Sequence, residues 1–221
     1  MKAHYYLGWF TTFFPEKLSK ALRKDITDRK SVVMISSNPS VFEEDGATER
    51  SWLDQAGIIF QEYHLINYRV QKEDAQRLIQ QASVIFLLGG STINLNRFLM
   101  EYDLSECIRN CRAVVLGASA GAINMSAKWL CSKNLGYDIP KSSVYDGIGL
   151  SDFSILSHFD LEDNMELVRD ELSPLSGEMN VFASNKDCAV RVKGDQIDIF
   201  GHVYLISRTT ILKVEETSKF C

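Results

Sequence analysis

The stretch Ala113-Val114-Val115-Leu116-Gly117-Ala118-Ser119-Ala120-Gly121-Ala122-Ile123-Asn124-Met125 reads as an apolar strand, a sharp turn and the start of a helix. Its first part is a short β-rich run without polar alternation, which suits a strand covered on both faces. A helical pattern begins at Ala120. Between them, Gly117 to Gly121 has the form Gly-x-Ser-x-Gly, in the strand-turn-helix setting that makes this form informative. Small neighbours are needed because the turn is sharp and its serine sits on strained backbone with an exposed hydroxyl. The helix that follows offers free N–H groups and a positive dipole end, both suited to a developing oxyanion. Ser119 is therefore a candidate nucleophile. The competing reading is a tight turn whose small residues only let strand and helix pack closely.

The same rhythm extends on the N-terminal side. Ser31-Val32-Val33-Met34-Ile35-Ser36 and Ser83-Val84-Ile85-Phe86-Leu87-Leu88 are further strand-like runs. Ala75, Leu78 and Ile79 recur at helical spacing after Lys72, and Ile93, Leu95, Phe98 and Leu99 cluster after Thr92. Strand-helix alternation of this kind predicts an α/β fold with right-handed crossovers and a doubly wound, mainly parallel sheet with helices on both faces. The last quarter differs. Ala189–Lys193, Gly194-Asp195 and Gln196–Phe200 form a hairpin signal, so antiparallel C-terminal strands are expected at one edge of the sheet. With four prolines, no repeat and no linker composition, residues 1–221 are expected to form a single domain.

A second glycine turn, Leu88-Gly89-Gly90-Ser91-Thr92, follows a strand and opens a helix. Adjacent parallel strands bring their C-terminal loops to one crevice, so its backbone N–H groups could complete an oxyanion hole. It lacks the lysine of a phosphate loop and the full dinucleotide-binding spacing. A serine hydroxyl also needs a base, and the histidines are His4, His64, His158 and His202. His4 and His64 lie inside expected strands, whereas His158 follows the apolar run Ile155-Leu156 and suits a strand-end loop. It is the favoured base. For the carboxylate that orients it, Asp138, Asp146, Asp152, Asp160 and Glu162 are all near in sequence, and spacing alone does not choose among them.

Composition bounds the partners. With 45% hydrophobic residues in 221, a substantial core is affordable. No stretch approaches the ~18 apolar residues of a membrane span, and the N-terminus lacks a signal-peptide pattern. Five cysteines without a Cys-x-x-Cys pair argue against a disulfide framework or zinc site. A cytoplasmic location with no metal and no cofactor is expected. The net charge of −5 and scattered Lys and Arg point away from nucleic acid and leave a small-molecule partner.

Taken together, the glycine turn opening a helix, the Gly-x-Ser-Ala-Gly turn, Asp138-Ile139-Pro140 and the histidine after an apolar strand resemble peptidase E, the aspartyl dipeptidase family of serine peptidases. That resemblance implies a fold similar to class I glutamine amidotransferases and hydrolysis of small peptides through an acyl-enzyme. It implies Ser119 as nucleophile, His158 as base and Asp138 as orienting acid. The Ala120 N–H would be one oxyanion donor, and the other would come from Gly89 or Gly90, with a slight preference for Gly89. An N-terminal aspartate needs a cation, and Arg169 is the candidate. A homodimer is compatible with this reading. The chain departs from the family at Gly89-Gly90-Ser91-Thr92, where a third glycine and asparagine are usual, and in Asn164–Arg169, where Thr-Arg-Glu is common.

Three other readings compete. A binding protein on the same fold would keep the turns without the chemistry. A cyanophycinase-like relative would keep the chemistry and change the substrate to an aspartyl polymer. An α/β-hydrolase usually needs more chain than the 39 positions between Ser119 and His158.

Overall fold

Runs that are apolar without interruption become strands with no exposed face. Every residue of Ser31–Ile35 and of Val84–Leu87 is buried. The computed structural model describes residues 2–41, 45–185, 187–208 and 210–214. Its first part runs β1 (Ala3–Leu7), α1 (Glu16–Asp25), β2 (Ser31–Ile35), α2 (Ala47–Gln55), β3 (Glu62–Ile66), α3 (Lys72–Gln81), β4 (Val84–Leu87), α4 (Thr92–Glu101), α5 (Leu104–Asn110), β5 (Val114–Ala118) and α6 (Ala120–Met125). There follow β6 (Lys128–Cys131), β7 (Ser143–Asp146), β8 (Ser154–Leu156), α7 (Met165–Leu167) and α8 (Ser173–Glu178), the two helices joined through a π turn at Val168–Leu172. The chain continues with β9 (Val181–Ala183), β10 (Ala189–Lys193), β11 (Gln196–Phe200), β12 (Val203–Ser207) and β13 (Thr210–Val214).

The main sheet has the order β11-β10-β1-β5-β4-β2-β3, and its pairs from β1 to β3 are parallel. Side chains alternate between its faces. Tyr5, Leu7, Val32, Met34 and Phe86 pack with Leu18 and Leu22 of α1 and Trp52 of α2. Tyr6, Val33, Ile35, Ile85 and Leu87 pack on the other face with Ile79 of α3, Phe98 of α4, Ile108 of α5 and Met125 of α6. This is the mainly parallel sheet between two helical layers that the alternating pattern predicts. No helix among the described residues is long and apolar enough to cross a membrane.

The C-terminal strands divide rather than collect at one edge. The β10–β11 hairpin joins the main sheet, with β10 antiparallel to β1 and Gly194 in the left-handed conformation (φ 61°) at its turn. A charged cluster pins it there. The buried Asp25 carboxylate accepts from Arg191 Nε at 2.7 Å, Lys193 Nζ at 2.8 Å and the Tyr5 hydroxyl at 2.7 Å. In contrast, β12 and β13 join a second sheet of order β13-β12-β9-β8. Ile206 of β12 packs there with Leu156, Phe159, Leu172 and Val181, an apolar cluster separate from the main layers. That separate core draws the strands away from the edge, and the second sheet carries His158 at the end of β8.

Candidate active site

Between β5, ending at Ala118, and α6, starting at Ala120, Ser119 alone makes the turn. Its φ of 45° and ψ of −104° lie outside the ordinary regions for a side-chain-bearing residue. Packing enforces this geometry. The Ser119 N–H donates to the Leu7 carbonyl at 2.9 Å, and its own carbonyl accepts from the Ile123 N–H at 3.0 Å. A Cβ on Gly117 would stand 2.6 Å from the Gly121 backbone, and one on Gly121 would stand 2.1 Å from the Leu87 carbonyl oxygen. Both glycines are therefore needed for α6 to lean against β4 and β5. Ser119 itself is only 6% exposed.

His158 arrives from the second sheet. Ser184 clamps the end of β8, donating its N–H to the Leu156 carbonyl and accepting from the Phe159 N–H, each at 2.9 Å. Phe159 is buried, so the residue before it must turn out sharply, and His158 does so at φ 59°. Its Nε2 lies 3.0 Å from Ser119 Oγ. Ser119 and His158 share a cavity of about 510 Å³ with Gly90, Thr92, Tyr137 and Asp138. His4, His64 and His202 do not line it. Burial, reinforced by the charge of Lys2, pushes the His4 imidazole down to about 4.

Asp138 sits exposed on the wall of this cavity. It does not hydrogen-bond His158, and among the described residues no carboxylate does. Asp160 is committed to its own turn, where it accepts from the Glu162 N–H at 3.0 Å. The backbone of Arg169 runs through the π turn, but its side chain lies outside the described residues. The loop bearing Asp138 is tied from below by Glu171, which accepts from Asn134 Nδ2 at 2.5 Å and Ser142 Oγ at 2.6 Å.

The two glycines of the Gly89-Gly90 turn, of which the sequence slightly favours Gly89, are placed differently. The Gly89 N–H donates to Glu49 Oε1 at 3.0 Å, so that amide is already committed. Gly90, with φ 126°, lines the cavity, and Gly89 does not. The Ala120 N–H begins α6, where the first amides have no carbonyl partner inside the helix.

Several residues that shape the site went unnoticed in the sequence. Glu49 of α2 is 4% exposed, and burial raises its carboxyl above the ordinary range. Ser37 Oγ donates to the Gly89 carbonyl, so this turn is gripped at both its N–H and its C=O. Two buried amides join α4 to α6. Asn96 Nδ2 donates to Asn124 Oδ1 at 2.9 Å, and Asn124 Nδ2 donates to the Thr92 carbonyl at 3.0 Å. The Tyr137 hydroxyl donates to Thr92 Oγ1 at 3.0 Å, joining two residues of the cavity wall. Asn124 carried a usable signal, since it interrupts the apolar stretch Ala120–Met125. Glu49 carried none: the charged stretch Asp45–Asp54 reads like any solvated helix.

Comparison with known proteins gives the family and the fold. The sequence profile of peptidase family S51 matches residues 16–200. A cyanophycinase from Geminocystis herdmanii is 26% identical over 172 residues, covering 73% of this chain and 59% of that protein. The chain thus spans a little over half the length of this curated relative. The fold is shared with a crystal structure of a peptidase from an acI-B1 Actinobacterium, at TM-score 0.71 and 16% identity, covering 100% of this chain and 96% of that one. It is shared too with a putative peptidase E protein from Listeria monocytogenes, at TM-score 0.66 and 15% identity, covering 90% and 98%.

Proposed function

Because the chain belongs to peptidase family S51, a family of serine peptidases, we propose that it hydrolyses small peptides, dipeptides with an N-terminal aspartate among them, through Ser119 and His158. The observation that carries this reading is the 3.0 Å contact between Ser119 Oγ and His158 Nε2, on a strained turn that opens into a cavity. His158 accepts the hydroxyl proton as Oγ attacks the scissile carbonyl carbon. The oxyanion that forms is met by the Ala120 and Gly90 N–H groups. As the tetrahedral centre collapses, the C–N bond breaks and His158 returns its proton to the departing amine. A water then adds to the acyl-enzyme by the same route in reverse, releasing the acid and restoring Ser119.

Asp138 is the carboxylate assigned to orient His158. It faces the same cavity, and such contacts often tighten only once substrate is bound. A cyanophycinase-like reaction on an aspartyl polymer is the second reading, favoured by the similarity to the Geminocystis protein. The test has two parts. A fluorophosphonate should label the wild-type chain at Ser119 and fail on Ser119→Ala, whereas equal labelling of both would remove the nucleophile assignment. A panel of Asp-X, Glu-X, Asn-X and β-aspartyl dipeptides should show turnover greatest for Asp-X. Hydrolysis of an aspartyl polymer without turnover of the dipeptides would favour the second reading, and no turnover of either would end both.

A further inference from the structure

The space around Ser119 continues past the start of α4. A second depression of about 160 Å³ lies beyond Asn94, a residue that lines both. Asn38, Ser40, Tyr68 and Arg97 also line it, and among the described residues no carboxylate does. Its polar groups are largely uncommitted donors. The side chains of Asn38, Asn94 and Arg97 have no hydrogen-bond or ion-pair partner among the described residues. The Tyr68 hydroxyl is already spent, donating to Glu101 Oε2 at 2.9 Å.

Position links these donors to the nucleophile. The backbone of Asn38 is fixed, its N–H donating to Ser36 Oγ at 3.0 Å and its carbonyl accepting from the Val41 N–H at 2.8 Å. Asn38 Nδ2 would lie only 3.0 Å from a Cβ on Gly90, so the missing side chain at Gly90 is what lets this amide sit against the turn. Arg97 stands one helical turn after Asn94, a step of about 5 Å. Helical side chains lean toward the N-terminus of their helix, and the N-terminus of α4, at Ser91 and Thr92, lines the Ser119 cavity. A guanidinium and two amides, with no carboxylate among the described lining residues, make a site for an anion.

We propose that Asn38, Asn94 and Arg97 form the subsite for the departing half of the substrate and bind the free α-carboxylate of its C-terminal residue. This deepens the small-peptide reading above and rests on it. In a dipeptide the carboxylate sits one Cα beyond the scissile nitrogen, and each added residue carries it up to ~3.5 Å further away. The subsite therefore selects the shortest peptides and disfavours chains whose C-terminus is blocked or distant.

The experiment measures kcat/KM for Asp-Leu, Asp-Leu-amide, Ala-Leu and Ala-Leu-amide with the wild-type chain and Arg97→Met. Each free acid should exceed its amide roughly 10- to 100-fold, the range a charge-assisted hydrogen bond provides. In Arg97→Met, whose exposed site tolerates the change, both ratios should approach one while the amides change less than twofold. Circular dichroism checks that the variant stays folded. Acid and amide cleaved equally by the wild-type chain would overturn the subsite and leave the peptidase reading standing, as would an undiminished ratio in Arg97→Met. Loss of the Asp-over-Ala preference alone would overturn aspartyl specificity and leave the subsite standing. No turnover of any of the four would overturn both.

Discussion

Two turns lie side by side at the ends of β4 and β5, and they are held in shape by opposite means. The serine turn is shaped by what its residues lack. Gly117 and Gly121 let backbone rest on backbone, with no room for a Cβ at either position. The glycine turn is shaped from outside, by Glu49 on the Gly89 N–H, Ser37 on its carbonyl and the Trp9 ring where a Gly89 Cβ would go. One turn therefore contains no titratable support, while the other leans on a single buried carboxylate. A backbone shape made by small residues can survive changes of solvent that a shape made by an ionisable side chain cannot.

Four changes would break or sharpen that contrast. The largest effect belongs to the hydroxyl that the serine turn presents. Ser119→Ala should keep the fold and lower peptide hydrolysis by at least about 10³-fold, and near-normal turnover would remove the reason for the turn's strain. Gly121→Ala comes next, because its Cβ would meet the backbone oxygen of Leu87 rather than a flexible side chain. Urea denaturation should show a loss of about 3 kcal/mol, at the upper end of overpacking costs. An unchanged midpoint would mean that α6 can move off β4 freely.

Glu49→Ala attacks the other turn and should act more mildly. It strands the Gly89 N–H, at a cost of about 1–3 kcal/mol. The displaced turn should lower kcat roughly 10-fold with little change in KM. Glu49→Gln keeps an acceptor oxygen and should restore most of both, so equal losses in the two variants would mean that the volume of the side chain matters, not its hydrogen bond. The smallest effect is on pH dependence. Burial holds the Glu49 carboxyl above its ordinary 4.5, so the folded chain keeps a proton that the unfolded chain gives up. The stability linked to that proton is complete below about 4.5 and is lost as pH rises through the folded-state value. Stability measured across this range should fall more steeply in the wild-type chain than in Glu49→Gln, whereas parallel curves would erase the distinction between the two turns.

The contrast also explains how much could be read from the residues. The main sheet was legible because Val32–Ile35, Val84–Leu87 and Val114–Leu116 are uninterrupted apolar runs separated by helical patterns. The serine turn was legible because all its determinants sit within Gly117–Gly121. The grip on the glycine turn was not, since Glu49 lies 40 positions and Ser37 52 positions from Gly89. The division of the C-terminal strands was hidden for a related reason. The alternating patterns of β10 to β13 look alike, and only the separate core beneath β8 and β9 decides which pair goes where. His158 was found because it ends an apolar strand. Its 3.0 Å approach to Ser119 depends on two different sheets meeting, which no local pattern encodes.

The place of β1 in the sheet also sets an order of events in time. Its strand neighbours begin only at Val114 on one side and Ala189 on the other. A ribosome adding roughly 5–20 residues per second releases Tyr5-Tyr6-Leu7 well before either neighbour has been made. During that interval the segment is an apolar ribbon with two open edges, the kind of surface that recruits chaperones or pairs with another nascent copy. The middle of the finished sheet is thus among the last regions to close. A transcript that stops short of Ala189 would leave one flank of β1 permanently available to other chains, so nonsense truncation should produce aggregates rather than a shortened soluble enzyme.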